Sequence, residues 1–308
     1  MNETTKSRYD EALSKRNVTI FTVFLGALII SSTVIFGANV IWLLLAAIVS
    51  SLFVEVNFAY FRKRQFDRSW IIVPMIVTLL LPVTVPIWLP IVAAGFGTFF
   101  GKAIFGGSGK NIFNPALVGI LFVTISFPVE MNTTWINPLN DEIGTTTPLI
   151  TLNTTGSLGE STFSDLLLGT TPGLLGETFR LGILLLGLAL ILFKVIDWRI
   201  PLSFIVSFLV LMGIGYLIMP DTFVNPIFAL FTGAVLFASF FVITDPVTAP
   251  ISGTGRMIYG FGIALFTIII RIFATFPEGI VFAVIIMNAI APLIDSSLEK
   301  EEAEEATS

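Results

Sequence analysis

Residues 18–58 read VTIFTVFLGALIISSTVIFGANVIWLLLAAIVSSLFVEVNF, a run whose only charged side chain is Glu55. A hydrocarbon core of about 30 Å needs roughly 20 apolar residues per helix, so the run is long enough for two crossings, at 18–37 and 39–58. The same reading, carried along the chain, places further spans at 70–84, 87–105, 115–128, 180–196, 201–219, 226–243, 257–275 and 279–294. Composition agrees, with 55% hydrophobic residues, 12% charged residues and a mean hydropathy of +0.94. The expected fold is an all-α polytopic membrane bundle of about ten transmembrane helices. The segment LLLPVTVPIWLP (79–90) carries three prolines and is expected either to turn at the surface or to form a broken helix.

Lys and Arg concentrate in cytoplasmic loops, which orients the spans. Lys6, Arg8, Lys15 and Arg16 precede the first span, Arg62, Lys63, Arg64 and Arg68 follow the second, Lys102 and Lys110 follow the fourth, and Lys194 and Arg199 follow the sixth. All fall on one side. No basic residue lies between Lys110 and Arg180, so the polar loop at about 129–178 is expected outside and both termini inside. The domain layout is then a cytoplasmic tail (1–17), a membrane domain (18–294) and an acidic cytoplasmic tail (295–308) read as solvated and disordered. The polar start MNETTKSRYDEALSKRN reads as that first tail rather than a removable signal. Arg271 is the exception to the charge rule; it either snorkels to the outer interface or lines an interior site.

The chain contains no Cys and no His. It therefore offers no thiolate for an iron–sulfur cluster and no imidazole for haem or an ordinary zinc site. A redox role would need an organic cofactor. Nothing in the charge pattern calls for nucleic acid. Self-similarity between residues 86–119 and 225–262, each running from an outer Pro-rich turn into a cytoplasmic Gly/Pro loop, points to an internal repeat of about five spans, with sites at the repeat interface.

Four places depart from what lipid exposure alone would produce. FGGSGKNIFNPALVG (105–119) combines a glycine turn with Asn111, Asn114 and Pro115; its N–H groups could meet an anion or a flavin, and it reads equally as a capped helix–loop–helix turn. FFVITDPVTAPISGTGR (240–256) sets Asp245 and Thr248 at the edge of a span, where a carboxylate can bind a cation, anchor a cofactor hydroxyl, or cap its own turn. Glu55 lies inside the basic end of span two and is either one carboxylate of an ion path or a partner for a neighbouring helix. DEIGTTTPLITLNTT (141–155) is a Thr-rich loop that solvent exposure alone would explain.

Taken in order, LLLPVTVPIWLP, GKAIFGGSGKNIFNPALVGI, the threonine stretch, FFVITDPVTAP and GIALFTIIIRIFATFPEGIVFAVIIMNAIAPLID resemble one family, over about residues 60–295. That family is the RnfD component of the Rnf electron-transport complex, with the related NqrB component of the sodium-translocating NADH:quinone reductase. The resemblance implies FMN joined by a phosphoester to an outer-loop threonine, installed by a flavin transferase that recognises a pattern like D-x-x-[S/T]-G-A-T. Here Asp141 and Thr147 keep the ends of that pattern, while Gly144, Thr145 and Thr146 depart from its middle. It also implies a second, non-covalent flavin (riboflavin or FMN), for which Asn111, Asn114, Asp245 and Thr248 are the candidate contacts. Implied partners are an extracytoplasmic FMN-binding subunit and cytoplasmic redox subunits, in the cell membrane of a prokaryote. The function expected from it is electron transfer coupled to Na⁺ or H⁺ movement. The alternatives are a flavin-free transporter or channel on the same scaffold, or a diverged subunit passing electrons to extracytoplasmic acceptors.

Overall fold

A computed structural model describes residues 13–305 except 65, 67, 133, 134, 141, 145, 160 and 275–277; for Asn132 and 300–305 only the backbone is described. Among the described residues the chain is all-α, with one isolated bridge between Ile136 and Ile143. The helices are α1 (Lys15–Phe36), α2 (Asn39–Phe61), α3 (Ile72–Leu79, led in by a 3₁₀ turn at Arg68–Ile71), α4 (Trp88–Thr98, ending in a π turn, Phe99–Ala103) and α5 (Pro115–Ser126). Short helices α6 (Pro128–Asn132), α7 (Pro148–Thr155) and α8 (Phe163–Leu168) build the long loop. The second half comprises α9 (Arg180–Leu192), α10 (Arg199–Ile218), α11 (Pro226–Phe231), α12 (Val235–Phe241), α13 (Gly253–Phe273) and α14 (Ile280–Glu305).

Among the described residues five helices, α1, α2, α10, α13 and α14, are long and apolar enough to cross a bilayer. The other expected spans are shorter or broken, and the reasons are local. Past Leu79, Pro82 and Pro86 cannot supply amide donors, so α3 stops. Its freed carbonyls are taken by a distant loop: Gly176 N–H donates to Leu79 O at 2.6 Å and Leu175 N–H to Leu81 O at 3.1 Å. Asn39 Nδ2 serves Val83 O at 2.7 Å. Irregular backbone at membrane depth survives only where protein satisfies it in this way.

The helices of the two halves share a pattern of contacts, in a register different from the one expected from sequence. α2 packs most extensively on α4, as α10 does on α13; α4 packs on α5, as α13 does on α14; α3 lies on α1 and α2, as α11 and α12 lie on α9 and α10. Each half thus turns at one motif, Pro82-Val83-Thr84-Val85-Pro86 before α4 and Pro246-Val247-Thr248-Ala249-Pro250 before α13. The two run in opposite directions. α4 starts beside the long loop, where Trp88 meets Phe127 with ring centroids 4.9 Å apart, and ends at Lys102. α13 starts at the basic end, where Arg256 pairs with Asp197, and ends at Arg271 near the long loop. The correspondence expected from sequence, 86–119 with 225–262, matches two segments of like direction and is replaced by this inverted one.

α4 and α5 cross at glycines: a Cβ on Gly97 or Gly101 would collide with Pro115, and one on Gly119 with the Ala93 carbonyl. Small residues permit such close approach between membrane helices. Phe204, Phe208, Phe237, Phe241 and Tyr259 fill the centre of the second half. Val34, Leu192 and Leu217, each about four-fifths exposed, belong to the apolar outer surface that lipid covers. The acidic C-terminus also differs from expectation: rather than an irregular tail, residues 295–305 continue α14, whose Glu- and Lys-rich sequence extends a helix already nucleated by packing.

Candidate functional site

At the basic end, α1, α3, the start of α5 and the 244–247 turn enclose a cavity of about 110 Å³. Asn111, Asn114, Asp245 and Lys102 face it from one side, with Phe21 and Phe241 from the other, their ring centroids 5.8 Å apart. Asn114 is the N-cap of α5: its Oδ1 accepts from Ala116 N–H (3.1 Å) and Leu117 N–H (3.4 Å), with Pro115 filling the first helical position. Its Nδ2 donates to Asp245 Oδ2 at 3.4 Å, and its own N–H donates to Asn288 Oδ1 at 3.0 Å. Asn288 in turn donates to the Tyr259 hydroxyl at 2.7 Å. A polar chain thus runs from the Asp245 turn of one half through α5 of the other to α14 and α13. Three of the four residues expected to contact a second flavin line this cavity. Thr248 does not line it; it is buried one turn on, its N–H donating to Asp245 O at 3.3 Å.

Glu55 is fully buried in α2 and pairs with Arg64 Nη2 at 2.9 Å and Lys102 Nζ at 3.6 Å. It lines none of the three cavities described. Lys102, on the π turn, is the link, since it touches Glu55 and faces the large cavity. A π turn adds a residue to a helical turn and is frequent where a helix must aim a functional side chain.

At the loop end, Thr147 is the N-cap of α7; its Oγ1 accepts from Ile150 N–H at 3.2 Å, and Pro148 follows. Thr147 is 4% exposed and lines a cavity of about 40 Å³ together with Trp135, Leu80, Phe282, Glu177 and Glu278. Thr146 is exposed, its hydroxyl 3.0 Å from that of Thr151. Gly144 is exposed with φ +92, a conformation that favours glycine. Asp141 and Thr145 lie outside the described residues.

Around this cavity stand four charges. Arg180 donates from Nε to Phe231 O and from Nη1 to Leu166 O, Thr171 Oγ1 and Thr178 O. Arg271 donates to Ala229 O at 2.9 Å and Thr232 O at 3.0 Å, and Glu278 Oε1 accepts from Ala234 N–H at 3.1 Å. The bonds to Ala229, Phe231, Thr232 and Ala234 satisfy the backbone opened between α11 and α12. Glu177 lies 3.9 Å from Arg180, and Glu278 lies 3.7 Å from Arg271. Of the four, the sequence singles out Arg271 alone. A signal for the others is nevertheless present: Glu177, Arg180 and Glu278 each border a span, where an ionisable side chain is costly unless paired.

Long apolar helices, broken helices stitched by distant residues and a cavity at each end define an all-α polytopic membrane protein. The chain matches the model of the NQR2, RnfD, RnfE family over residues 4–304, and it belongs to that family. It is similar to the RnfD-type subunit of the ion-translocating oxidoreductase complex of Alcanivorax borkumensis, at 36% identity over 283 residues, covering 83% of this chain and 82% of that one. The subunits of the same name from Shewanella frigidimarina (33%, covering 84% and 85%) and Erwinia tasmaniensis (32%, covering 83% and 84%) are also similar.

Proposed function

We propose that this chain is a membrane subunit of an ion-translocating electron-transport complex, and that it passes electrons through flavin. The observation that supports the reading is that Thr147, the threonine the motif resemblance singles out for covalent FMN, stands at the N-terminus of α7. A phosphoester there would sit at the positive end of α7, beside the Leu149 N–H, since Pro148 has no N–H and those of Ile150 and Thr151 already serve Thr147. Attachment would join Thr147 Oγ1 to the FMN phosphorus of FAD, break the pyrophosphate bond and release AMP, the hydroxyl proton leaving to solvent. The 40 Å³ cavity holds a few waters, not a tricyclic ring, so the ring would lie outside it, toward an extracytoplasmic FMN-binding subunit. Flavin supplies one- and two-electron chemistry that a chain without Cys or His lacks.

The large cavity is the proposed place of a second, non-covalent flavin. Asn111 and Asn114 would offer amides to its polar edge, Asp245 a carboxylate and Phe21 an apolar wall. Thr248 would act one step removed, by holding the Asp245 turn. Cytoplasmic redox subunits would exchange electrons on this side, in the cell membrane of a prokaryote, with the basic end inside and the long loop outside. Glu55, through Lys102, is the proposed carboxylate of an Na⁺ or H⁺ path.

The test is fluorescence of the purified full-length chain on a denaturing gel after co-expression with the flavin transferase. A flavin band is expected that vanishes in Thr147→Ala and persists in Thr146→Val. Persistence in Thr147→Ala, or loss in Thr146→Val, overturns the assignment to Thr147. Absence of any band favours the second reading, a flavin-free transporter, which the inverted halves with a cavity at each end support on their own.

A further inference from the structure

We propose that Glu177 is an exchangeable proton-binding site at the loop end of the bundle, reached through the cavity that Thr147 lines. Glu177 is 3% exposed, and its carboxyl has the Leu174 backbone as a hydrogen-bond partner and none among the described side chains. A buried carboxylate needs several donors to remain charged. The two nearby guanidinium groups do not supply them. Arg180 commits Nε to Phe231 O and Nη1 to Leu166 O, Thr171 Oγ1 and Thr178 O, and Arg271 commits both Nη atoms to Ala229 O and Thr232 O. The remaining Arg180 Nη2 meets Glu177 only at 3.9 Å, beyond hydrogen-bond reach.

Glu278 faces the same cavity, but its side chain is about a quarter exposed while that of Glu177 is 3% exposed, so its charged form is the better solvated. It adds a like charge across the cavity, so a proton taken up by the pair is best placed on Glu177. Glu177, Glu278, Arg180 and Arg271 are the charged groups that the loop, α9, α13 and the start of α14 present to one another here. Burial first, and the Glu278 charge second, push the Glu177 carboxyl up to about 8 against the opposing pull of the two arginines and of the Leu174 backbone.

The cavity selects a proton over a metal cation. Arg180 and Arg271 already set two positive charges beside the two carboxyls, which disfavours a further fixed cation, whereas a proton binds one carboxyl oxygen directly. About 40 Å³ admits the few waters that carry a proton to the aqueous phase on the loop side. The site needs no flavin. If Thr147 does carry a phosphoester, that negative charge beside the cavity would strengthen proton binding.

Infrared spectroscopy of the full-length chain in nanodiscs, in a Thr147→Val background so that attached flavin plays no part, tests this directly. A carboxylic acid C=O stretch is expected that moves in D₂O, fades as pH rises through the neutral range, and is missing in Glu177→Gln. Glu278→Gln is expected to keep the band but fade it at lower pH, because the repelling charge is gone; a merely structural Glu177 would show no such shift. An unchanged titrating band in Glu177→Gln, or its displacement by Na⁺ at constant pH, overturns the proposal. Should Glu177→Gln fail to fold, Glu278→Gln decides alone, and an unshifted titration there overturns it.

Discussion

Asn114 Nδ2 donates to Asp245 Oδ2 at 3.4 Å while Asn114 Oδ1 caps α5, so one side chain ties a helix start of one half to the broken turn of the other. The two roles separate by substitution. Asn114→Ser keeps an N-cap and loses the amide, whereas Asn114→Ala loses both, at a cost of about 1 kcal/mol for the cap alone. Thermal unfolding in detergent is expected near wild type for Asn114→Ser and lowered for Asn114→Ala. Non-covalent flavin retained on native purification is expected to fall in both; retention in Asn114→Ser would remove Asp245-linked amide contact from the binding site.

What the sequence discloses depends on how far each signal reaches along the chain. Helical class and the positions of α1, α2, α10, α13 and α14 follow from apolar length, which is local. The breaks are announced by Pro82 and Pro86, but what rescues them is not: Leu175 and Gly176 lie far away in sequence and donate through the backbone, where residue type leaves no trace. The repeat is legible in the near-identity of PVTVP and PVTAP, but its inverted direction hides the match from a search for spans of like orientation. Asn111, Asn114 and Asp245 stand out as polar residues in apolar surroundings, and the fold gathers them around one cavity. Glu177 and Glu278 do not stand out, because each sits at a span edge, where a charge looks solvated until the fold closes over it.

Glu55 is 0% exposed, and Lys102 is nearly as buried. Removing one partner from such a pair leaves an uncompensated charge, typically worth roughly 3–5 kcal/mol. Glu55→Gln is therefore expected to lower stability substantially, since Arg64 and Lys102 both lose its carboxylate. Glu55→Gln combined with Lys102→Met should recover much of the loss, since the buried charge is then gone. A double-mutant cycle from denaturant unfolding measures this; purely additive losses would show that Lys102 and Glu55 do not act as a pair.

Gly→Ala in a helix ordinarily stabilises by roughly 0.5–1 kcal/mol. That sign is expected for Gly26→Ala, whose added methyl would have Met75 Cε at 3.9 Å as its nearest neighbour. It should reverse for Gly97→Ala and Gly119→Ala, because the new methyl meets the backbone carbonyl of Pro115 or Ala93, and backbone cannot rotate away. Melting temperatures of the three variants check it. Equal behaviour of Gly97→Ala and Gly26→Ala would mean that α4 and α5 are not held in close contact.

Arg271 separates shape from charge at the α11–α12 break. Its fork reaches two carbonyls, Ala229 O at 2.9 Å and Thr232 O at 3.0 Å, while Glu278 balances it at 3.7 Å. Lysine keeps the charge but not the planar fork, so Arg271→Lys leaves at least one buried carbonyl unserved. A hydrogen bond to a charged group is worth about 1.5–3 kcal/mol, and a loss of that order is expected. Arg256→Lys, at the more exposed pair with Asp197, should cost less. Amide hydrogen exchange localises the effect: protection should fall across Ala229–Ala234 in Arg271→Lys and stay unchanged there in Arg256→Lys. Unchanged protection in both variants would show that the break is held by packing rather than by the guanidinium fork.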